Sequence, residues 1–132
     1  MSKILDFLID TQVFFIATQE GDQPRVRPFG LVFELDEKLY FGVGDFKPSY
    51  RQLLANPKFE ITALNKDNQW LRLTANAAFD DRQAVQDKAF EILPSLKERY
   101  TGEGKPHLAT FYATDVTYTI EDFKGNRETG QL

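Results

Sequence analysis

Short apolar runs joined by tight polar turns set the strongest limit on what this chain can form. Val13 to Ala17, Arg25 to Leu35 and Leu39 to Val43 are separated only by Gln19-Glu20-Gly21-Asp22 and by Asp36-Glu37-Lys38. Lys58 to Leu64 and Gln69 to Phe79 are joined by Asn65-Lys66-Asp67-Asn68. Parallel strands need a long crossover, so turns this short force antiparallel neighbours. Pro28 and Gly30 fall inside the second run and predict an edge or a bulge there. A last long strand is expected from about His107 to Ile120, with Tyr112, Val116, Tyr118 and Ile120 on one face.

Helical spacing is confined to three places. Ile4, Leu5, Leu8 and Ile9 predict a short helix over residues 3–10. Ser49 to Ala55 reads as a second, with Ser49 as N-cap, Gln52 in capping-box position and Asn56-Pro57 as the stop. A third is expected after Asp80 or Asp81 as cap. Its apolar stripe is Val85, Ala89, Ile92, Leu93, Leu96 and Tyr100, broken or kinked at Pro94. The expected architecture is mainly β with peripheral helices: an antiparallel sheet of about six strands, closed into a small barrel, forming a single domain over residues 1–132.

Composition removes whole classes of chemistry. The chain has no cysteine, so thiol catalysis, disulfides and Cys-ligated metals are excluded. Its one histidine, His107, rules out a multi-histidine metal site and leaves no convincing Ser–His–Asp triad. The net charge of −4 argues against a general nucleic-acid binder. No apolar run nears the roughly 20 residues of a membrane span. The first residues lack the apolar stretch of a signal peptide, so a cytoplasmic protein is expected. Gly42-Val43-Gly44 lacks the third glycine of a dinucleotide fingerprint.

One constellation stands out against this bare inventory. Arg25, Arg27, Lys47, Arg51 and Arg72 fall at structurally special points. Arg25 and Arg27 are two apart on a strand and share a face. Lys47 precedes a helix start carrying Ser49, where free N–H groups and the helix dipole favour an anion such as phosphate. In Trp70-Leu71-Arg72-Leu73-Thr74, the leucines point one way and Trp70 and Arg72 the other. That outward pair suggests a covered surface, either a subunit interface or a flat aromatic ligand. On spacing alone these five are also compatible with ordinary surface cations.

The pieces "FFIAT" (14–18), "GDQPRVRPFG" (21–30), "KLYFGVG" (38–44), "KPSYRQLLANP" (47–57) and "WLRLTANAAF" (70–79), in this order, resemble the pyridoxamine 5′-phosphate oxidase-like FMN-binding split-barrel family. The closing "TYTIEDFKGN" (117–126) resembles the last strand of its short bacterial members. The resemblance implies a six-stranded antiparallel split β-barrel of the FMN-binding type, forming a homodimer with FMN at the subunit interface. By position, Arg25, Val26, Arg27 and Pro28 would lie along the flavin. Phe41, Gly42 and Val43 would offer backbone groups to it. Lys47, Ser49 and Gln52 would surround the phosphate. Trp70 and Arg72 would close the site from the other subunit. Tyr50 and Arg51 are weaker assignments. The Arg-x-His-type motif with which the family's vitamin-oxidising enzymes grip pyridoxal is not found, so oxidation of pyridoxamine phosphate is not expected.

Two functions follow from the resemblance: an FMN-dependent oxidoreductase of unknown substrate, or a non-catalytic flavin-binding stress or sensory module. The oxidoreductase needs no side-chain nucleophile, because the isoalloxazine carries the redox chemistry. A deazaflavin or haem in the same barrel is a third reading. Haem is disfavoured because His107 and Met1 lie outside the proposed cleft.

Overall fold

The computed structural model describes all 132 residues. In chain order the elements are α1 (Ser2–Thr11), β1 (Phe14–Glu20), β2 (Gln23–Phe29), β3 (Phe33–Leu35), β4 (Lys38–Gly44), α2 (Pro48–Ala55), β5 (Lys58–Leu64), β6 (Gln69–Phe79), α3 (Gln83–Ile92), α4 (Ser95–Tyr100), β7 (Leu108–Asp122) and β8 (Arg127–Gln131). Every strand pairing is antiparallel, as the short turns require. The order is β2-β1-β5-β6-β7-β4-β3, with β8 on β7.

The sheet therefore has eight strands and is open, not six and closed. Two causes account for the difference. The expected second strand breaks at Gly30–Val32 into β2 and β3, which take opposite ends of the sheet. Pro24 and Pro28 sit on β2, an edge strand where missing N–H donors cost nothing. The other addition is β8, a polar strand with no apolar alternation for the sequence to display.

The sheet nevertheless curls on itself. Phe14 of β1 and Phe41 of β4 lie far apart in strand order, yet their ring centroids are 5.8 Å apart. Phe41 also meets Phe59 of β5 and Phe111 of β7. Alternation builds this core: Phe59, Ile61 and Ala63 from β5 and Leu71, Leu73 and Ala75 from β6 all point inward. Backbone hydrogen bonds do not follow the side chains across the gap between β1 and β4. Instead α2 packs on both strands and bridges that seam, burying Leu53.

A second cluster lies on the other face of β4. Tyr40, Phe33, Leu31 and Leu108 pack there under Val85 and Ala89 of α3 and Tyr100 of α4. Pro94 stands at the break between the two helices, as expected, but Ile92 and Leu93 are exposed and not part of the stripe. Nor do Asp80 and Asp81 cap α3: its N-cap is Arg82, without a side-chain bond. On β7 the expected single face is wrong for Tyr112. Asp115 takes φ 52° and the register shifts opposite Thr74 and Asn76, so a bulge reverses the alternation. Phe111 and Ala113 are buried before it, and Val116 and Ile120 after it. No helix is long and apolar enough to cross a membrane.

Candidate functional site

The seam brings three elements together. Thr18 is a polar residue at an inward position of β1, and it is buried. Arg27 pairs opposite Ile16 on β2 and points to the same side. Its Nη1 donates to the Thr18 hydroxyl at 2.7 Å and to the Ile16 carbonyl at 3.2 Å. Its Nη2 donates to Gln52 Oε1 of α2 at 2.8 Å. The Thr18 hydroxyl donates to the same oxygen at 2.5 Å. Burial, followed by the charge of Arg25, lowers the affinity of Arg27 for its proton. The guanidinium stays charged, because its ordinary value is so high.

Glu20 extends the network toward solvent. Arg25 donates to Glu20 Oε1 from Nε at 3.1 Å and from Nη2 at 2.9 Å. Gln52 Nε2 donates to Oε2 at 3.3 Å. The hydrogen bonds and charge of Arg25, the hydrogen bond from Gln52 and the charge of Arg51 hold the Glu20 carboxyl below the usual carboxylate range.

The start of α2 differs from the expected form. Lys47 is the N-cap and Pro48 fills the first position, where a missing N–H is no loss. Ser49 is buried inside the first turn and makes no cap bond. Gln52 turns to Thr18, Arg27 and Glu20 instead of closing a capping box. Lys47 at the N-cap and Arg51 in the first turns of α2 have no carboxylate partner. Both are exposed.

Across the seam, β3 pairs with β4 only as far as Tyr40, whereas β7 continues along Phe41, Gly42, Val43 and Gly44. Residues 41–44 thus have one edge without a strand partner. The side chains of Phe41 and Val43 are in the core. Any Cβ on Gly42 would lie 3.0 Å from Leu31 and 3.1 Å from Leu108. These residues can offer a ligand backbone groups only.

The remaining expected residues lie elsewhere within one chain. Val26 and Pro28 occupy the opposite face of β2, where Val26 is 67% exposed. Trp70 and Arg72 are on the outer face of β6, as alternation predicted. Trp70 packs on Phe123 with centroids 4.8 Å apart, and Arg72 pairs with Glu60 at 3.3 Å. Two joined grooves run along this outer face. One of about 610 Å³ is lined by Ala17, Gln19, Pro24, Lys58, Glu60 and Thr74 among others. The next, about 400 Å³, includes Arg72, Thr74 and Thr117. His107 is exposed and pairs with Asp81 at 3.2 Å. No cluster of three or more metal-ligating side chains exists.

Solved structures share this fold. The chain matches a NimC/NimA family protein from Clostridium acetobutylicum at TM-score 0.92 and 46% identity, covering 100% of this chain and 93% of that one. The chain belongs to the NimC/NimA family. General stress protein 26 from Bacillus anthracis str. Sterne matches at TM-score 0.76 and 16% identity, over 99% of this chain and 97% of that one. A pyridoxamine 5′-phosphate oxidase-related, FMN-binding protein from Nostoc punctiforme PCC 73102 matches at TM-score 0.65 and 12% identity, over 99% and 95%. In fold, these relatives bear out the pyridoxamine 5′-phosphate oxidase-like resemblance of the sequence. No protein-family profile matches the chain, and no curated protein does.

Proposed function

We propose that this protein binds FMN at the seam, in a homodimer, and acts as a flavin-dependent oxidoreductase. The observation that carries the reading is the cation corner. Arg27 is fixed by three acceptors beside α2, and α2 carries Arg51, which acts on Glu20, and Lys47 at its N-cap, neither with a carboxylate partner. Such an excess of donors suits a phosphate. The unpaired backbone edge at Phe41–Val43 suits a planar ring or a ribityl chain, which hydrogen-bond to N–H and C=O groups. The FMN-binding relative from Nostoc supports the ligand class.

In this reading Lys47, Arg25, Arg51 and the first turn of α2 at Ser49 hold the phosphate. Arg27 is partly buried and locked by Thr18 and Gln52, so it supplies a fixed positive charge near the ligand. Phe41, Gly42 and Val43 position it through their main chain. Bound FMN supplies the two-electron chemistry. Trp70 and Arg72 point away from this corner in their own chain, which favours their contributing from a second copy. The exposed Phe15, Val26 and Leu64 add apolar surface that a second copy would cover.

Purification with spectral and chromatographic identification of the released chromophore tests the ligand. Flavin absorbance with FMN as the chromophore is expected. A colourless protein that fails to quench added FMN overturns the reading. Light scattering is expected to give twice 15.2 kDa, and a monomer mass would remove the dimer. Steady oxidation of NADH or NADPH with a small acceptor separates an oxidoreductase from a flavin carrier.

A further inference from the structure

Glu20 ends β1 at the turn into β2, and its carboxylate lies among groups that would otherwise hold an anion. Arg25 meets Oε1 with two donors, and Gln52 meets Oε2. Arg51 adds charge from α2. A carboxylate in this place presents its oxygens to donors that a phosphate would use in the same way. We propose that Glu20 is an internal stand-in for the phosphate monoester of the ligand, and that it leaves Arg25 and Gln52 when the ligand enters. The proposal rests on the flavin-phosphate reading above.

The pair is built to exchange. Both side chains of the Arg25–Glu20 bridge are 52% exposed, and an ion pair in solvent contributes little. A phosphate monoester carries up to two negative charges and three acceptor oxygens, so it competes well with one carboxylate. Were Glu20 to stay, its charge would stand beside the phosphate and repel it. Arg27 is different. Its acceptors are Thr18, Gln52 and the Ile16 carbonyl, which belong to the packed fold. Glu20 is thus the residue that sets how strongly the site distinguishes a phosphorylated ligand from its unphosphorylated form.

Glu20→Gln and Glu20→Ala, titrated with FMN and with riboflavin by flavin fluorescence, test this. FMN is expected to bind about three- to tenfold more tightly to both variants, with riboflavin unchanged. The gain should be larger for Glu20→Ala, because glutamine can still accept from Arg25, and added salt should shrink it. Unchanged or weakened FMN binding, with riboflavin still bound, overturns the proposal and leaves the flavin reading standing. An equal change for both ligands also overturns it, since riboflavin has no phosphate to compete. Wild-type protein that binds neither flavin overturns the flavin reading, and this proposal with it.

Discussion

Two corners of the molecule are built from the same parts and end in opposite electrostatic states. At the back of the sheet, Arg82 binds Asp80 with donors at 3.0–3.2 Å and reaches Asp36 at 3.3 Å. Asp80 in turn accepts the Tyr40 hydroxyl at 2.7 Å. One guanidinium there faces two carboxylates, and the network closes on itself. At the seam, Arg25 binds a single carboxylate, Glu20, Arg51 adds charge to it from α2, Arg27 joins it only through Gln52, and Lys47 at the N-cap of α2 has no carboxylate partner. The first arrangement ties β4 to the start of α3 and has no capacity left. The second has donors and charge to spare. A guanidinium network alone therefore says little about binding, and the unbalanced charge separates a site from a clasp.

The sharpest way to break this comparison is to remove one arginine from each corner. Arg27→Gln removes the fixed positive charge beside the ligand and the donors that order Thr18 and Gln52, and is expected to weaken FMN binding by about a hundredfold. Arg82→Gln is expected to leave FMN affinity unchanged and to lower thermal stability. Calorimetric titration of both variants checks the contrast, and equal losses would erase it. Lys47→Ala comes next. It should cost FMN about tenfold in affinity and riboflavin nothing, since the lysine is assigned to the phosphate. Parallel losses would move Lys47 away from the phosphate.

Much of this contrast was legible in the chain. Arg25 and Arg27 share a face because strand side chains alternate, and that rule needs no tertiary information. Leu71 and Leu73 against Trp70 and Arg72 followed in the same way. What the pattern missed has physical reasons. Thr18 stands in the apolar run "FFIAT" at an inward position, and only the approach of α2 reveals that its hydroxyl is shared by Arg27 and Gln52. Ser49-x-x-Gln52 has capping-box spacing, but Pro48 at the first position moved the helix start to Lys47 and freed Gln52 for the seam. The sequence pattern shows six strands where the sheet has eight, because Gly30–Val32 ends β2 without a polar turn and β8 carries no apolar alternation. The bulge at Asp115 is invisible to a period-two reading, which put Tyr112 on the face of Val116.

The closed corner yields a smaller, purely structural effect. Tyr40 is fully buried, stacked on Phe33 with centroids 5.3 Å apart, and its hydroxyl has Asp80 as partner. Tyr40→Phe keeps the ring and removes that bond. A loss of about 1–1.5 kcal/mol in urea unfolding is expected. FMN affinity should not change. A change in affinity would mean that the two corners communicate through β4, whose residues 41–44 border the seam.

The smallest effect is the acid limb of stability. Hydrogen bonds from Arg82, and that from Tyr40, hold the folded Asp80 carboxyl at about 2, against an ordinary value of 3.8. Between these values the unfolded chain binds the proton and the folded one does not. Stability therefore falls as pH drops from about 4 toward 2, and is fully present above that window. Arg82 is 57% exposed, so screening trims the contribution to about 1 kcal/mol. Asp80→Asn cannot titrate. Its stability is expected to be lower at neutral pH, with a flatter acid limb than wild type. Glu20 and Asp122 are also held low in the folded state, but both keep their titration in wild type and variant alike. The difference between the two curves thus belongs to Asp80. Parallel acid limbs would show that Asp80 binds its proton equally well in the folded and unfolded chain, and that the clasp does not favour its charged form.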